Sequence, residues 1–375
     1  MGVVALATHV HLHERVALKF MRREMMGVPD VIARFTQEAR AAAKLKGAHV
    51  ARVFDVGTTH DGVPYLVMEY LEGRDLRVVL SEQGPPLPRD TARYVIEACN
   101  GLAEAHAQGI VHRDVKPDNL FLALMPDGSS SIKVLDFGIS KLALRESPYE
   151  PYGVPSNTVV TMGSPQYMSP EQLRSTGDVT HQTDIWSLGV VLFELLSGRL
   201  PFDSALQFAE LAAHILRDPP PRLSKLVSDV PLGLESIVLR CMAPACTERY
   251  GSVADLSRAL LPYATPQVRP LVERTVSLCA AAGLCSESEA QPVRRPQAAG
   301  ADVLHRLAAE LTVIVGPFAK IHVERELRAM GTNAASVTLL EIEDLALRLA
   351  TKIPEAPERR AFLNAASVLW NKRLS

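Results

Sequence analysis

The stretch His112-Arg113-Asp114-Val115-Lys116-Pro117-Asp118-Asn119, followed seventeen residues later by Asp136-Phe137-Gly138, constrains this chain more than any other feature. In order, it offers a carboxylate, a cation, an amide and a second carboxylate. Phosphoryl transfer from ATP needs those groups: an acceptor for a hydroxyl proton, a charge to meet the moving phosphate, and hard oxygen donors for Mg²⁺. A lone Asp-Phe-Gly carries little weight. The same tripeptide at this distance behind a loop containing Lys-Pro does not arise readily by chance.

At 375 residues the chain has room for one domain of about 250 residues and a smaller one. The pattern of apolar residues predicts short strands at Val3 to Ala7 and Val16 to Phe20, then a helix from Asp30 to Lys46. Strands resume at Val50 to Val56 and Val63 to Met68, with Asp61-Gly62 as the hairpin turn between them. Helices dominate from Arg89: Asp90 to Gln108, Thr183 to Ser197, Phe208 to Leu216, Leu232 to Met242 and Val253 to Leu261. The expected class is α+β, a small mixed β/α lobe ahead of a larger helical lobe. Residues 265–300 read as a linker, most clearly over Ser286 to Gly300 with its prolines and arginines. Residues 301–375 read as a small all-helical domain. There Ile342, Leu345 and Leu349 share a face, and Thr338-Leu339-Leu340-Glu341 fits a capping box. Nothing in that domain looks catalytic.

Taken together, these residues resemble the eukaryotic-type Ser/Thr protein kinases of bacteria, over residues 1–264. The resemblance implies the bilobal protein-kinase fold, an ATP-dependent Ser/Thr phosphotransferase in bacterial signalling, and autophosphorylation. It makes Val16-Ala17-Leu18-Lys19 the strand whose Lys19 grips the α- and β-phosphates, with Glu38 as its ion-pair partner. Met68 becomes the gatekeeper of the adenine pocket, Glu69 and Leu71 its backbone contacts, and Val4, Ala17 and Phe121 its walls, while Asp75 stands where ribose is often met. Asp114 would take or orient the substrate proton, Lys116 would neutralise the γ-phosphate, and Asn119 and Asp136 would hold Mg²⁺. His112 and Phe137 are expected to pack as structural residues. The end of an activation segment is expected at Gly163-Ser164-Pro165-Gln166-Tyr167-Met168-Ser169-Pro170-Glu171, where Ser164 replaces the usual Thr and Ser169 the usual Ala. Glu171 should pair with Arg249, and Asp184 should anchor the loop backbone. Arg113 beside Asp114 implies control by phosphorylation, at Thr161 or Thr158 and less readily at Ser156.

One part of the family pattern is short. The nucleotide-covering loop usually reads Gly-x-Gly-x-x-Gly-x-Val, and Met1-Gly2-Val3-Val4 matches only its last glycine and valine. Two readings stand: a start site lying upstream of an internal methionine, or a true truncation that leaves a degenerate kinase acting as a nucleotide-binding scaffold or recruiting module. The full set of Lys19, Glu38, Asp114, Lys116, Asn119 and Asp136 favours the first. Forty basic and 42 acidic residues leave a net charge of −2, which points to neither nucleic acid nor a membrane surface. An odd count of five cysteines, no leader, and no apolar run longer than that around Leu311 to Val315 imply a cytoplasmic chain without a membrane span. The expected partners are ATP and proteins bearing Ser or Thr, with the C-terminal helices serving partner binding or self-association.

Overall fold

The computed structural model describes residues 3–21, 29–137, 164–174, 179–202, 207–227, 230–284, 307–308, 311, 319–329, 339–350, 353, 358–359 and 361–363. The chain divides into two units, residues 1–289 and 290–375.

The first unit opens with an antiparallel sheet of β1 (Val3–Thr8), β2 (Arg15–Phe20), β3 (Val53–Thr58) and β4 (Pro64–Glu69), in the order β1-β2-β4-β3. Its register sets Lys19 opposite Val4 and Leu66, and Ala17 opposite Leu6 and Met68. Directly paired residues and every second residue share a face. Val4, Ala17, Lys19 and Met68 therefore line the same side. Helix α1 (Pro29–Ala42) packs Phe35, Ala39 and Ala42 with Leu66, Met68 and Met21, forming a small core of its own. The strand expected from Val50 starts instead at Val53. Val50 bridges in parallel to Val134, and Ala51 N–H donates to the Val134 carbonyl at 3.0 Å, so these residues serve a different strand.

Behind this sheet lies a second one, β5 (Gly73–Asp75), β6 (Leu120–Leu124) and β7 (Ser130–Val134). Only glycine fits at 73: its φ is 139°, and a Cβ there would stand 2.2 Å from the Leu122 carbonyl oxygen. The larger lobe is built from α2 (Leu76–Gln83), α3 (Pro88–Ala107), α4 (Pro170–Arg174), α5 (Gln182–Ser197), α6 (Phe208–Arg217), α7 (Leu232–Cys241), α8 (Val253–Leu260) and α9 (Arg269–Ala281). Helix α5 is apolar nearly all round and buried from Thr183 to Leu196, so it forms the centre of the lobe. Its Gly189 lets α7 approach, since a Cβ at that position would lie 2.6 Å from Cys241 Cβ.

Helix α9 corrects the linker reading of residues 265–300. Residues 265–284 are folded: Val268, Val272 and Cys279 are buried in the core that holds α3 and α8, and Asn100 Nδ2 donates to Thr275 Oγ1 at 3.0 Å. The Pro and Arg content that suggests a linker belongs to residues beyond 285, outside the described residues. In the second unit, α10 (Ala319–Ala329) and α11 (Leu339–Ala350) share a core of Val323, Leu327, Leu345, Leu349, Ile353 and Phe362. Helix α11 begins at Leu339, as the capping motif implies, while the side chains of Thr338, Glu341 and Ile342 lie outside the described residues.

Because Val272 is only 3 % exposed against α3, Val272→Asp places an unpaired carboxylate in the core. Urea unfolding of the variant is expected to show a loss of about 3 kcal/mol or more. Val272→Ile should stay within about 1.5 kcal/mol of the parent.

Candidate active site

Loop 112–119 is shaped from below by one carboxylate. Asp184, in the first turn of α5, is fully buried and accepts from His112 N–H at 2.9 Å and Arg113 N–H at 2.8 Å, with His106 Nε2 at 2.7 Å from the same carboxylate. Burial alone pushes its pKa up, but these contacts outweigh it and hold the carboxyl below the usual range. The anchored backbone carries Arg113 at a φ of 63°, in the left-handed region that non-glycine residues rarely enter. His112 Nδ1 accepts from Asp114 N–H at 3.2 Å, so Nε2 carries the proton that meets the Leu135 carbonyl at 2.7 Å. Its ring packs on Phe137 with centroids 5.0 Å apart, the structural role expected of both.

On this base stand the polar side chains. Asp114, Lys116 and Asn119 are all buried. Lys116 Nζ lies 3.4 Å from Asp114 Oδ2 and donates to Ser164 Oγ at 3.2 Å, so Ser164 supplies the hydroxyl expected there. Asn119 Nδ2 donates to the Asp114 carbonyl at 2.7 Å and to its Oδ2 at 3.3 Å. That leaves the Asn119 amide oxygen as the group available to a cation. Asp136 follows β7 with a φ of 51° and pairs with Lys19 Nζ at 2.5 Å. An amide oxygen and a carboxylate fit a small hard cation that completes its shell with phosphate and water, as Mg²⁺ does. Among the described residues no group of three or more His, Cys, Asp or Glu could hold a metal.

Glu38 lies on α1, but its side chain, and with it the expected pairing to Lys19, is outside the described residues; among the described residues Lys19 pairs with Asp136. Asp75, expected near ribose, caps α2: its side chain accepts from Val78 N–H at 2.9 Å. Phe121 stands opposite Asp75 across β5 and β6, half-buried, as is Leu71. Val4 is largely exposed and Met68 buried. Gly2, Gly163 and the candidate phosphosites Ser156, Thr158 and Thr161 lie outside the described residues. Sequence reasoning missed two supports. His106 buttresses Asp184 from 78 positions away, and Lys133 on β7 holds the Glu69 carboxylate with both contacts at 3.1 Å. Neither has a local sequence signal.

Further along, Glu171 forms its expected pair with Arg249, with bonds of 2.8 and 2.9 Å, while Gln172 Nε2 donates to the Arg113 carbonyl at 3.0 Å. The segment starting at Ser164 is therefore tied both to the lobe and to the loop.

A family model described as "Protein kinase domain" matches residues 1–259. The chain belongs to the protein kinase family. Its curated relatives include a serine/threonine-protein kinase, Pkn1, from Myxococcus xanthus, 38 % identical over 276 residues, which are 73 % of this chain and 38 % of that protein. PknB from Mycobacterium tuberculosis is 34 % identical over 307 residues, 79 % of this chain and 47 % of its own. The chain thus spans less than half the length of these relatives. Among solved structures, the PknI kinase domain of Mycobacterium tuberculosis superposes with a TM-score of 0.54 at 27 % identity, covering 70 % of this chain and 92 % of that one. Residues 302–374 match a second model, "Domain of unknown function (DUF8082)".

Burial works against the charge of Glu171, yet the Arg249 contacts prevail and hold its carboxyl at about 2, against 4.5 in the absence of such partners. A carboxyl whose folded pKa is depressed contributes stability that is present above its unfolded pKa and disappears as pH falls through the folded one. About 3 kcal/mol of unfolding free energy should therefore be lost between pH 4.5 and 2. Chemical denaturation at a series of pH values measures it, and Glu171→Gln should flatten that part of the profile.

Proposed function

We propose that this chain is a Ser/Thr protein kinase that transfers the γ-phosphate of ATP to protein hydroxyls. The observation that supports this best is the group of buried side chains Asp114, Lys116 and Asn119 on a loop pinned by Asp184, with half-buried Ser164 accepting from Lys116 and Lys19 meeting Asp136 beside it. Family membership gives the reaction class, and the roles proposed for individual residues are those that the resemblance implies.

Asp114 takes or orients the proton of the attacking hydroxyl, and Asn119 fixes its carboxylate by donating to it. Lys116 offers the moving phosphate a positive charge, held in place by Asp114 and Ser164. Lys19 holds the non-transferring phosphates. Asn119 and Asp136 hold Mg²⁺, which when bound neutralises phosphate charge. Catalysis of this kind rests on positioning and electrostatics, with no covalent intermediate on the protein. Met68, Ala17, Val4 and Phe121 receive adenine, Glu69 and Leu71 offer it backbone groups, and Glu38 and Asp75 act as the resemblance implies.

Arg113 Nε is buried and has no hydrogen-bond partner in the described structure. A phosphate on Thr161 or Thr158 would supply one, which supports autophosphorylation as the activating event. The C-terminal helices are assigned to partner binding or self-association, and the chain to the cytoplasm. No helix among the described residues is long and apolar enough to cross a membrane.

Incubation with MgATP, followed by phosphosite mapping, should find Thr161 or Thr158 modified. Asp114→Asn should lower kcat by about 10²–10⁴-fold, and Lys19→Met should abolish detectable labelling. A parent chain that is stabilised thermally by MgATP yet transfers nothing would support the scaffold reading in its place.

A further inference from the structure

One cation gathers four elements beside the site. Arg77, on α2, places Nη1 2.5 Å from Glu194 Oε1 on α5 and Nε 3.4 Å from Asp118 Oδ2, in the short helical turn that ends loop 112–119. Its Nη2 donates to the Tyr167 hydroxyl, which in turn donates to Glu194. Tyr167 and Glu194 are buried, with side-chain exposure of only 5 % for Glu194, whereas Arg77 and Asp118 remain 36 % and 47 % open. Tyr167 lies three residues beyond Ser164, and Asp118 lies four beyond Asp114. The same guanidinium therefore touches the two segments that meet at Lys116.

We propose that Arg77 is a positioning residue, which sets the segment ending at Tyr167 against loop 112–119 and so fixes where the acceptor protein meets Asp114.

The planar fork suits this task. Arginine directs several N–H groups along fixed lines, whereas a lysine ammonium reaches one or two of the same acceptors without fixing the angle between them. Burial opposes the charge of Arg77, but Glu194 and Tyr167 outweigh it and raise its pKa, while burial and the neighbouring Glu194 raise that of Tyr167. Both groups therefore keep their protons in the working range. Glu194 without Arg77 would be a buried carboxylate with one neutral partner, a costly arrangement. The Tyr167 contact is thus held by a guanidinium that the buried Glu194 carboxylate keeps in place. Misplacement of about 1 Å at a reacting centre is enough to cost about 10²-fold in rate, so a residue that touches no substrate can still govern turnover.

The kinetic half of the test rests on the kinase reading; the hydrogen-exchange half does not. Arg77→Met and Arg77→Lys are compared with the parent by exchange at the Tyr167, Met168 and Asn119 amides, which bond to Ser164, Pro165 and Lys116. Interior amides of α3 serve as the reference. Exchange at the three site amides should become at least tenfold faster in Arg77→Met, with α3 unchanged, and Arg77→Lys should recover no more than part of the protection. With MgATP and a Ser/Thr acceptor peptide, kcat/KM for the peptide should fall about tenfold or more, while KM for ATP stays within about twofold.

Unchanged exchange at the site amides overturns the proposal. Uniform acceleration that includes α3 also overturns it, because Arg77 would then act only on global stability. So does local acceleration with peptide kcat/KM within twofold of an active parent. If the parent transfers no phosphate, the kinase reading fails, and the exchange pattern alone decides the role of Arg77.

Discussion

The geometry of the site depends on the carboxylate of Asp184. A charge with no exposure to water is costly to bury, and it persists here because His106 and two backbone N–H groups converge on it. Those two N–H groups belong to His112 and Arg113, so satisfying Asp184 determines the path of the chain just before Asp114. The left-handed φ of Arg113 is part of that cost. Asp184 itself cannot shift, since α5 is packed on every side. A rigid apolar rod thus carries one polar hook, and the reactive loop hangs from it.

The two lobes of the first unit are held differently from their interiors. The core around α5 and the core around α1 are separate clusters. Between them run polar links: Lys19 to Asp136, and Lys133 to Glu69, whose carboxylates are about a quarter exposed. Partly exposed ion pairs of this kind contribute modestly and exchange partners easily. The two cores are therefore joined by contacts that are inexpensive to rearrange, which fits the proposed binding and release of a nucleotide between them.

Much of this was legible in the sequence, because periodicity and local motifs report local structure. The strands at Val16 to Phe20 and Val63 to Met68, the helices α3, α5, α6, α7 and α8, and the Glu171–Arg249 pair all follow from short-range pattern or family motif. The misses share a different cause. Helix α9 escapes a compositional reading because a folded stretch and a Pro- and Arg-rich one lie side by side in residues 265–300. Val50 pairs with Val134 and His106 with Asp184 across long separations that no local pattern encodes. Asp75 carries a recognisable cap signal, with Val78 N–H three positions on, and the cap adds to the ribose role that the resemblance implies without replacing it. The clamp at Arg77 was invisible for the same reason as His106: its acceptors come from three separate stretches of chain.

The packing of α9 has a consequence for how the protein is made. Helix α3 is complete by Ala107, yet the face it turns toward Thr275 is covered only by residues that follow it by some 170 positions; the Asn100–Thr275 bond spans 175. Synthesis proceeds from the N-terminus at about 5–20 residues per second. For many seconds, then, a nascent chain carries a finished helix with its back uncovered. The family model ends at residue 259, but the lobe closes only once the ribosome has passed the end of α9. Until then the growing chain exposes apolar surface, and that interval is when it most needs protection from aggregation.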